Sequence, residues 1–455
     1  MTSGRRWAGV SLEDAPVREL AALTGRAVPL LRTWVAEQPE LGPARALLVL
    51  ATADELDDGA LKSELVRAYE DARASDARSA SLVYAVFLHT HRQYRMTADH
   101  LAVHFEAWPG DEVAALMIGA FAASEDPSHR VLGDALIERH HRRAREDDWF
   151  WTSLAAWSAV ERGRVEEAHE LARRALNAHP RSGVAAHTRA HAEQELGAGP
   201  DAIAFLDGWL AGDPLAPQTR HLNWHATLQA LACGDFAQAR RRADDALERG
   251  DVGMRSATNW RLLLAGQTPA GRCDLAHVRA LLAAPGGTAE VFHTFNLALA
   301  LAVEAAGDDL NGLAALAAVD ERPEFRYVLA PVVRALAQIV AGRPHVAVDL
   351  LTDLGERVER IGGVRVEREI IQDTLARALV DCGEHARAAR LLGTRLVGRR
   401  HHVYEDHLLI PGPSGATRSG IPSARIGPTP SGDRATTAPA DAVRPSTSVP
   451  RGDLP

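Results

Sequence analysis

A small-residue frame with a fixed spacing constrains this chain more than any single residue does. In the segment Gly163-Arg-Val165-Glu-Glu-Ala168, continued by Ala172, Ala175 and Pro180, a glycine closes one helix and Val165 begins the packing face of the next. Small residues follow at Ala168 and Ala175, with a packing residue at Ala172 between them and a proline at the end. Small side chains let two helices approach closely, and the proline stops the helix before a new pair starts. The same frame holds Gly197, Ala202, Leu206, Trp209 and Pro214, and Ala202 follows Ala168 by 34 residues, the period of a tetratricopeptide repeat. Gly234, Phe236, Ala239, Ala243 and Ala246 fit it next, and Tyr94, Thr97, Leu101, His104 and Pro109 fit it upstream. Gly342, Ala347, Leu351 and Leu354 fit it downstream, as do Gly383, Ala388 and Leu392. The interval from Thr97 to Ala168 leaves room for one degenerate copy near Val131–Ala135.

These copies predict an all-α fold, a right-handed superhelical solenoid of divergent helical hairpins resembling tetratricopeptide repeats. Apolar residues recur every three to four positions and the alternation of a strand is absent. Residues 1–76 are expected to form helical pairs packing on the array, two short helices between Trp7 and Glu37 and a further pair at 43–51 and 59–74. Ser11 or Asp14 is the expected cap of the first helix and Leu23-Thr24-Gly25 its end. The array itself is expected over 77–408, with helices at 273–284, 289–306, 308–319 and 364–381 where the frame weakens. From 409 to 455 the chain turns rich in Pro, Gly, Ser, Thr and Ala, with five Arg against three Asp, and disorder is expected there.

Composition excludes several classes of function. A net charge of −9 over 455 residues gives no basis for binding nucleic acid or acidic lipid. Lys62 is the only lysine, and arginine with abundant alanine follows from GC-rich coding rather than from phosphate recognition. Cys233, Cys273 and Cys382 are scattered and odd in number, which argues against disulfides and cysteine-ligated zinc. No apolar run is long enough to span a membrane, and no apolar segment follows the N-terminal arginines as in a secretory signal. The expected compartment is the cytoplasm.

The chemistry-bearing residues concentrate between Gly183 and Ala239. His187 and His191 stand one turn apart on one helix, and His221 and His225 repeat that spacing on the next first helix, with Asn223 and Trp224 between them. Neighbouring first helices touch in such arrays, so the four imidazoles are expected to converge, with His293 and Asn296 approaching from a later repeat. The ERHHRRARED run around His140 and His141 reads as a solvated helix face.

The two H-x-x-x-H helices, the run Gly234-Asp235-Phe236-Ala237-Gln238-Ala239, and Ile361-Gly362-Gly363 followed by Arg368 resemble the tetratricopeptide repeat protein 38 family. The likeness runs from about Trp7 to Leu396. It implies a helical-repeat fold and little about biochemistry, since the family's role is poorly defined. Family members carry an Asn-Asp-x-His run where this chain reads His293-Thr294-Phe295-Asn296, which implies an altered version of any site those residues join.

Four uses of the histidines are open: a hydrogen-bonded ladder fixing helix register, a ligand or peptide pocket, a transition-metal site, and acid–base chemistry aided by Arg365 or Arg368. The reading adopted is an interaction protein that binds a peptide, partner protein or small ligand. Its concave groove would be lined by His187, His191, His221, Asn223, Trp224, His225, His293, Asn296, Arg365 and Arg368. It requires no cofactor; a transition metal held by His187, His191, His221 and His225 is the alternative cofactor, and an enzyme of a specialised bacterial pathway using the same groove is the alternative function.

Overall fold

The computed structural model describes residues 10–411 apart from 125, 246, 248–251, 285 and 289. Twenty-three α-helices and no strand occur among the described residues. The expected disorder of the C-terminal segment concerns residues that lie almost entirely outside this range. No helix among the described residues is long and apolar enough to cross a membrane.

Consecutive helices pack on one another through most of the described chain, and some alternate helices also touch; Val252–Leu264 packs chiefly on Val291–Val303, the second helix after it. Trp149–Glu161 packs on Val165–Ala178, which packs on Gly183–Glu195, and Gly183–Glu195 reaches both Trp149–Glu161 and Thr219–Ala232. The same order recurs from Gly307–Val319 through Ala330–Val340 to Pro344–Leu354. The described residues form two compact units, one of 10–247 with 393–406, the other of 252–392 with 407–411. These boundaries differ from the 1–76, 77–408 and 409–455 drawn from repeat onset and composition, because compactness follows packing rather than pattern.

The frame residues sit where close packing needs them. Ala168, Ala172, Ala202, Leu206, Ala239, Ala243, Ala347, Ala388 and Leu392 are all 0% exposed, on the second helices Val165–Ala178, Pro200–Gly212, Phe236–Asp245, Pro344–Leu354 and His385–Leu396. The preceding turn glycines Gly163, Gly197, Gly234, Gly342 and Gly383 all have positive φ, between 57° and 84°. Where glycine is missing, the turn survives. Arg92 takes φ 58° two residues before Tyr94, and Ala305 takes φ 55° two residues before Gly307. A non-glycine residue in that region costs on the order of 1 kcal/mol, so packing of the two helices outweighs local strain at these copies.

The first helix, Ala15–Ala21, ends at the expected Leu23-Thr24-Gly25 segment, with Leu23 in the left-handed region at φ 54°. Gly25 serves close approach: a Cβ there would lie 2.6 Å from the Leu215 Cβ. One irregularity is a π-helical turn at Phe325–Leu329 leading into Ala330–Val340. Pro331, near the start of that helix, has no N–H to give, and the wider turn accommodates the missing donor.

Candidate functional site

Helix Gly183–Glu195 carries the first histidine pair. Its N-cap Ser182 side chain accepts from the Ala185 N–H at 3.2 Å, which fixes where the helix starts and so which face His187 and His191 occupy. Gly183 permits the entry, since its N–H donates to the Ala22 carbonyl at 2.6 Å and a Cβ there would meet that same oxygen at 3.0 Å. Ala186 and Ala190 pack with Leu222 and Ala226 of helix Thr219–Ala232, small residues on both sides that draw the two helices together. The second pair, His221 and His225, then faces the first.

The four imidazoles form one compact group. His191 Nε2 lies 2.9 Å from His187 Nε2, and His221 Nε2 lies 3.0 Å from His225 Nε2. Across the helix interface the ring centroids of His187 and His221 are 4.6 Å apart and those of His191 and His225 4.4 Å, both nearly edge to face. One ring nitrogen from each residue lies within 4.8 Å of one from every other. Two tryptophans close the group. Trp157 stacks on His187 at 5.3 Å and meets His191 edge-on, while Trp224 packs on His225 at 5.3 Å and on His221 at 5.5 Å.

Burial corrects the expected open groove. The imidazole residues are 0%, 5%, 4% and 0% exposed in chain order and Trp224 is 2% exposed, because helix Gly183–Glu195 is enclosed on nearly every side. Burial is also the first cause of the ring electrostatics. It lowers His191 to about 3 and holds His187 and His225 well below the usual imidazole range, and the neighbouring imidazoles add to the effect. All three rings are neutral at pH 7, each with a nitrogen lone pair. The Nδ1 atoms of His187 and His225 have no hydrogen-bond partner among the described residues.

Asn223 does not join the group. It caps its own turn, donating to the Thr219 carbonyl at 2.9 Å, and its Oδ1 accepts from Arg242 at 3.3 Å. Glu193, two residues beyond His191, faces away and accepts from Arg189 at 2.8 Å. The remaining expected groove residues belong to the second unit. There Asn296 donates to the Phe292 carbonyl at 3.1 Å and lies against Gly253, and His293 is half-buried on the same helix. Phe295, 1% exposed, is core. Arg368 donates to the carbonyls of Gly362 and Gly363, so it closes the Ile361-Gly362-Gly363 turn, where both glycines have positive φ. Arg365 stands exposed at the start of helix Arg365–Asp381.

Sequence reasoning missed a second polar network in the first unit. Arg78 grips Asp111 with two bonds, 2.6 Å from Nε and 2.7 Å from Nη2. His104 bridges Asp111 at 3.0 Å and the Ser81 hydroxyl at 2.8 Å, and the same hydroxyl meets His100 at 3.0 Å. Ser81, His104 and Asp111 thus lie in a hydrogen-bonded line, yet Arg78 claims the carboxylate and His100 the hydroxyl, which makes the line a structural brace. Only the place of His104 in the repeat frame hinted at it. His140 also departs from the solvated face expected of it, stacking on Trp151 at 4.5 Å.

The fold and this cluster together define an all-helical protein of consecutively packed helices with a buried four-histidine centre. No protein-family model and no curated protein matches the chain. The resemblance to the tetratricopeptide repeat protein 38 family therefore rests on its residues alone.

Proposed function

We propose that the chain is a cytoplasmic interaction protein whose helical pairs wind as a right-handed, tetratricopeptide-like superhelix, and that it binds an apolar-faced helix of a partner protein. Support for the architecture comes from the 34-residue frame and from helices packing on their sequence neighbours. The binding face shifts from the histidine groove, which is buried, to a cleft between helices Asp58–Ser75 and Ala77–Thr90. That cleft is the observation that carries the reading. It has a volume of about 440 Å³ and is lined by Leu65, Val66, Tyr69, Val83, Tyr84 and Phe87, with Glu70 and Arg73 also at its walls.

Val66, Tyr69 and Tyr84 are 46%, 38% and 40% exposed, an aromatic and aliphatic surface left in water. Lining residues recur one turn apart on both helices, as ridges do where a third helix settles into the groove of two. Glu70 and Arg73 offer one charge of each sign, matching an amphipathic helix that carries Lys or Arg and Asp or Glu beside its apolar stripe. A reaction at the four imidazoles would need a path for substrate, and those rings are at most 5% exposed.

The test is a display selection of amphipathic helical peptides on the immobilised full chain. Enriched peptides are expected to carry Leu, Ile or Phe at i, i+3 and i+4, and to lose binding at least tenfold to the Tyr69→Asp/Tyr84→Asp variant. Circular dichroism should show that variant to be as helical as the wild type. Peptides that bind both proteins equally would remove the cleft from the function.

A further inference from the structure

We propose that His187, His191, His221 and His225 together bind one first-row transition-metal ion, zinc foremost, in a closed four-nitrogen site that clasps helices Gly183–Glu195 and Thr219–Ala232. The first argument is convergence. A hydrogen-bonded ladder needs only the two contacts within each helix, 2.9 Å for His187 with His191 and 3.0 Å for His221 with His225. It gives no reason for the two pairs to face each other nearly edge to face, with all four nitrogens inside 4.8 Å. A tetrahedral ion with Zn–N bonds of about 2.0–2.1 Å holds its ligand nitrogens about 3.3 Å apart. The pairs within each helix therefore open by a few tenths of an ångström to take an ion, and the two pairs draw together across the interface.

The second argument is chemical. Imidazole is a borderline ligand that suits Zn(II), Co(II), Ni(II) and Cu, whereas Mg(II) and Ca(II) require oxygen. The hydrated ion gives up its whole water shell for four neutral ring nitrogens, each ring keeps its proton on the other nitrogen, and no redox change occurs. The orphaned Nδ1 atoms of His187 and His225 do not favour either arrangement, since a ladder and a metal centre both leave them buried.

The third argument concerns role. Four protein ligands fill a tetrahedral shell and leave no position for water or substrate, the mark of a structural rather than a hydrolytic site. The two ligand helices are alternate helices of the array, joined through Pro200–Gly212. A metal bridge between them acts across a loop of roughly thirty residues, where a cross-link restrains the unfolded chain substantially.

The experiment is a Co(II) titration of the full chain after treatment with a strong chelator. Visible d–d bands of tetrahedral intensity should rise to saturation at one Co(II) per chain, disappear when Zn(II) is added, and be absent from His191→Ala/His225→Ala. They should persist in His104→Gln, whose imidazole belongs to the other network, and in His402→Ala/His407→Ala, which removes two histidines near the C-terminal end of the described chain. Loss of the bands in that last variant would show binding elsewhere and overturn the site. Should the His191/His225 variant fail to fold, the wild-type titration decides alone. Weak octahedral bands, or no saturation at one equivalent, leave a metal-free ladder and overturn the proposal.

Discussion

Two buried histidine networks lie in the first unit, and they end differently. His104, 1% exposed, is held at both nitrogens by oxygen, the Ser81 hydroxyl at 2.8 Å and the Asp111 carboxylate at 3.0 Å. Arg78 then satisfies the carboxylate from the other side. His187 and His225, both 0% exposed, find only other imidazoles and tryptophan faces. A histidine kept for the fold terminates on an acceptor and a donor that complete it, as buried polar groups generally do. In His187 and His225 the hydrogen-bonded ring nitrogen meets only another ring nitrogen. The contrast is between a network closed by oxygen and one in which four imidazoles face one another.

The largest expected effect falls on the closed network. Asp111→Ala leaves the Arg78 guanidinium, 4% exposed, without its carboxylate. Removing one partner of a buried ion pair costs about 3–5 kcal/mol. Urea unfolding of the full chain should show a loss of that size, unaffected by zinc. A loss under about 1 kcal/mol would mean that water reaches Arg78 and that the brace is not closed.

A direct comparison of the two networks comes next. His104→Gln removes a hydrogen-bonded bridge and should cost about 1–3 kcal/mol, equally in chelator and in zinc. His225→Leu should cost more in zinc than in chelator, because it abolishes the zinc-dependent part of stability along with the ligand. Thermal unfolding of both variants under both conditions measures the difference. If zinc moves the His225→Leu midpoint as far as it moves the wild type, the two networks are alike and both are structural.

The sequence discloses these networks unequally, and the reason is the range over which each is built. The second-helix frame is local: turn geometry, close approach and helix termination each leave a residue of fixed type within eighteen positions. That is why Gly163 through Pro180 read true, and why Ala168 and Ala202 are both fully buried. Pairing within a helix is also local, so His187 with His191 and His221 with His225 were visible as pairs. Burial of those pairs was not, because enclosure comes from Trp157 and from helices on either side. The Arg78–Asp111 bond joins residues 33 apart through side chains of ordinary type, and no spacing rule marks such a partner. Leu23 and Arg92 illustrate the converse limit, since packing places them in a backbone region that their side chains alone would avoid.

The smallest effect contrasts two adjacent carboxylates of the brace region. Burial pushes both Asp111 and Glu112 upward. In Asp111 the bonds from His104 and Arg78, with the charges behind them, outweigh burial and hold the carboxyl below its usual range. Glu112 lacks a cation. Burial, the nearby Asp148 carboxylate, and smaller contributions from Asp111 and Glu13 raise it to about 7, against the opposing bond from Trp151. The folded protein therefore keeps the Glu112 proton up to about pH 7, whereas the unfolded chain releases it near the ordinary glutamate value of 4.5. Between those values the folded state binds more protons, so this contribution to stability is complete below the lower value and is lost as pH rises through the upper one. Allowing for partial solvent screening, the wild type should lose about 1–2 kcal/mol between pH 5 and pH 8 from this source. Glu112→Gln keeps the shape without the charge and should flatten that segment of the stability profile while leaving acid sensitivity from Asp111 in place. Parallel profiles for variant and wild type over that range would show that Glu112 is ionised in the folded protein, and the two carboxylates would then differ in neighbours but not in behaviour.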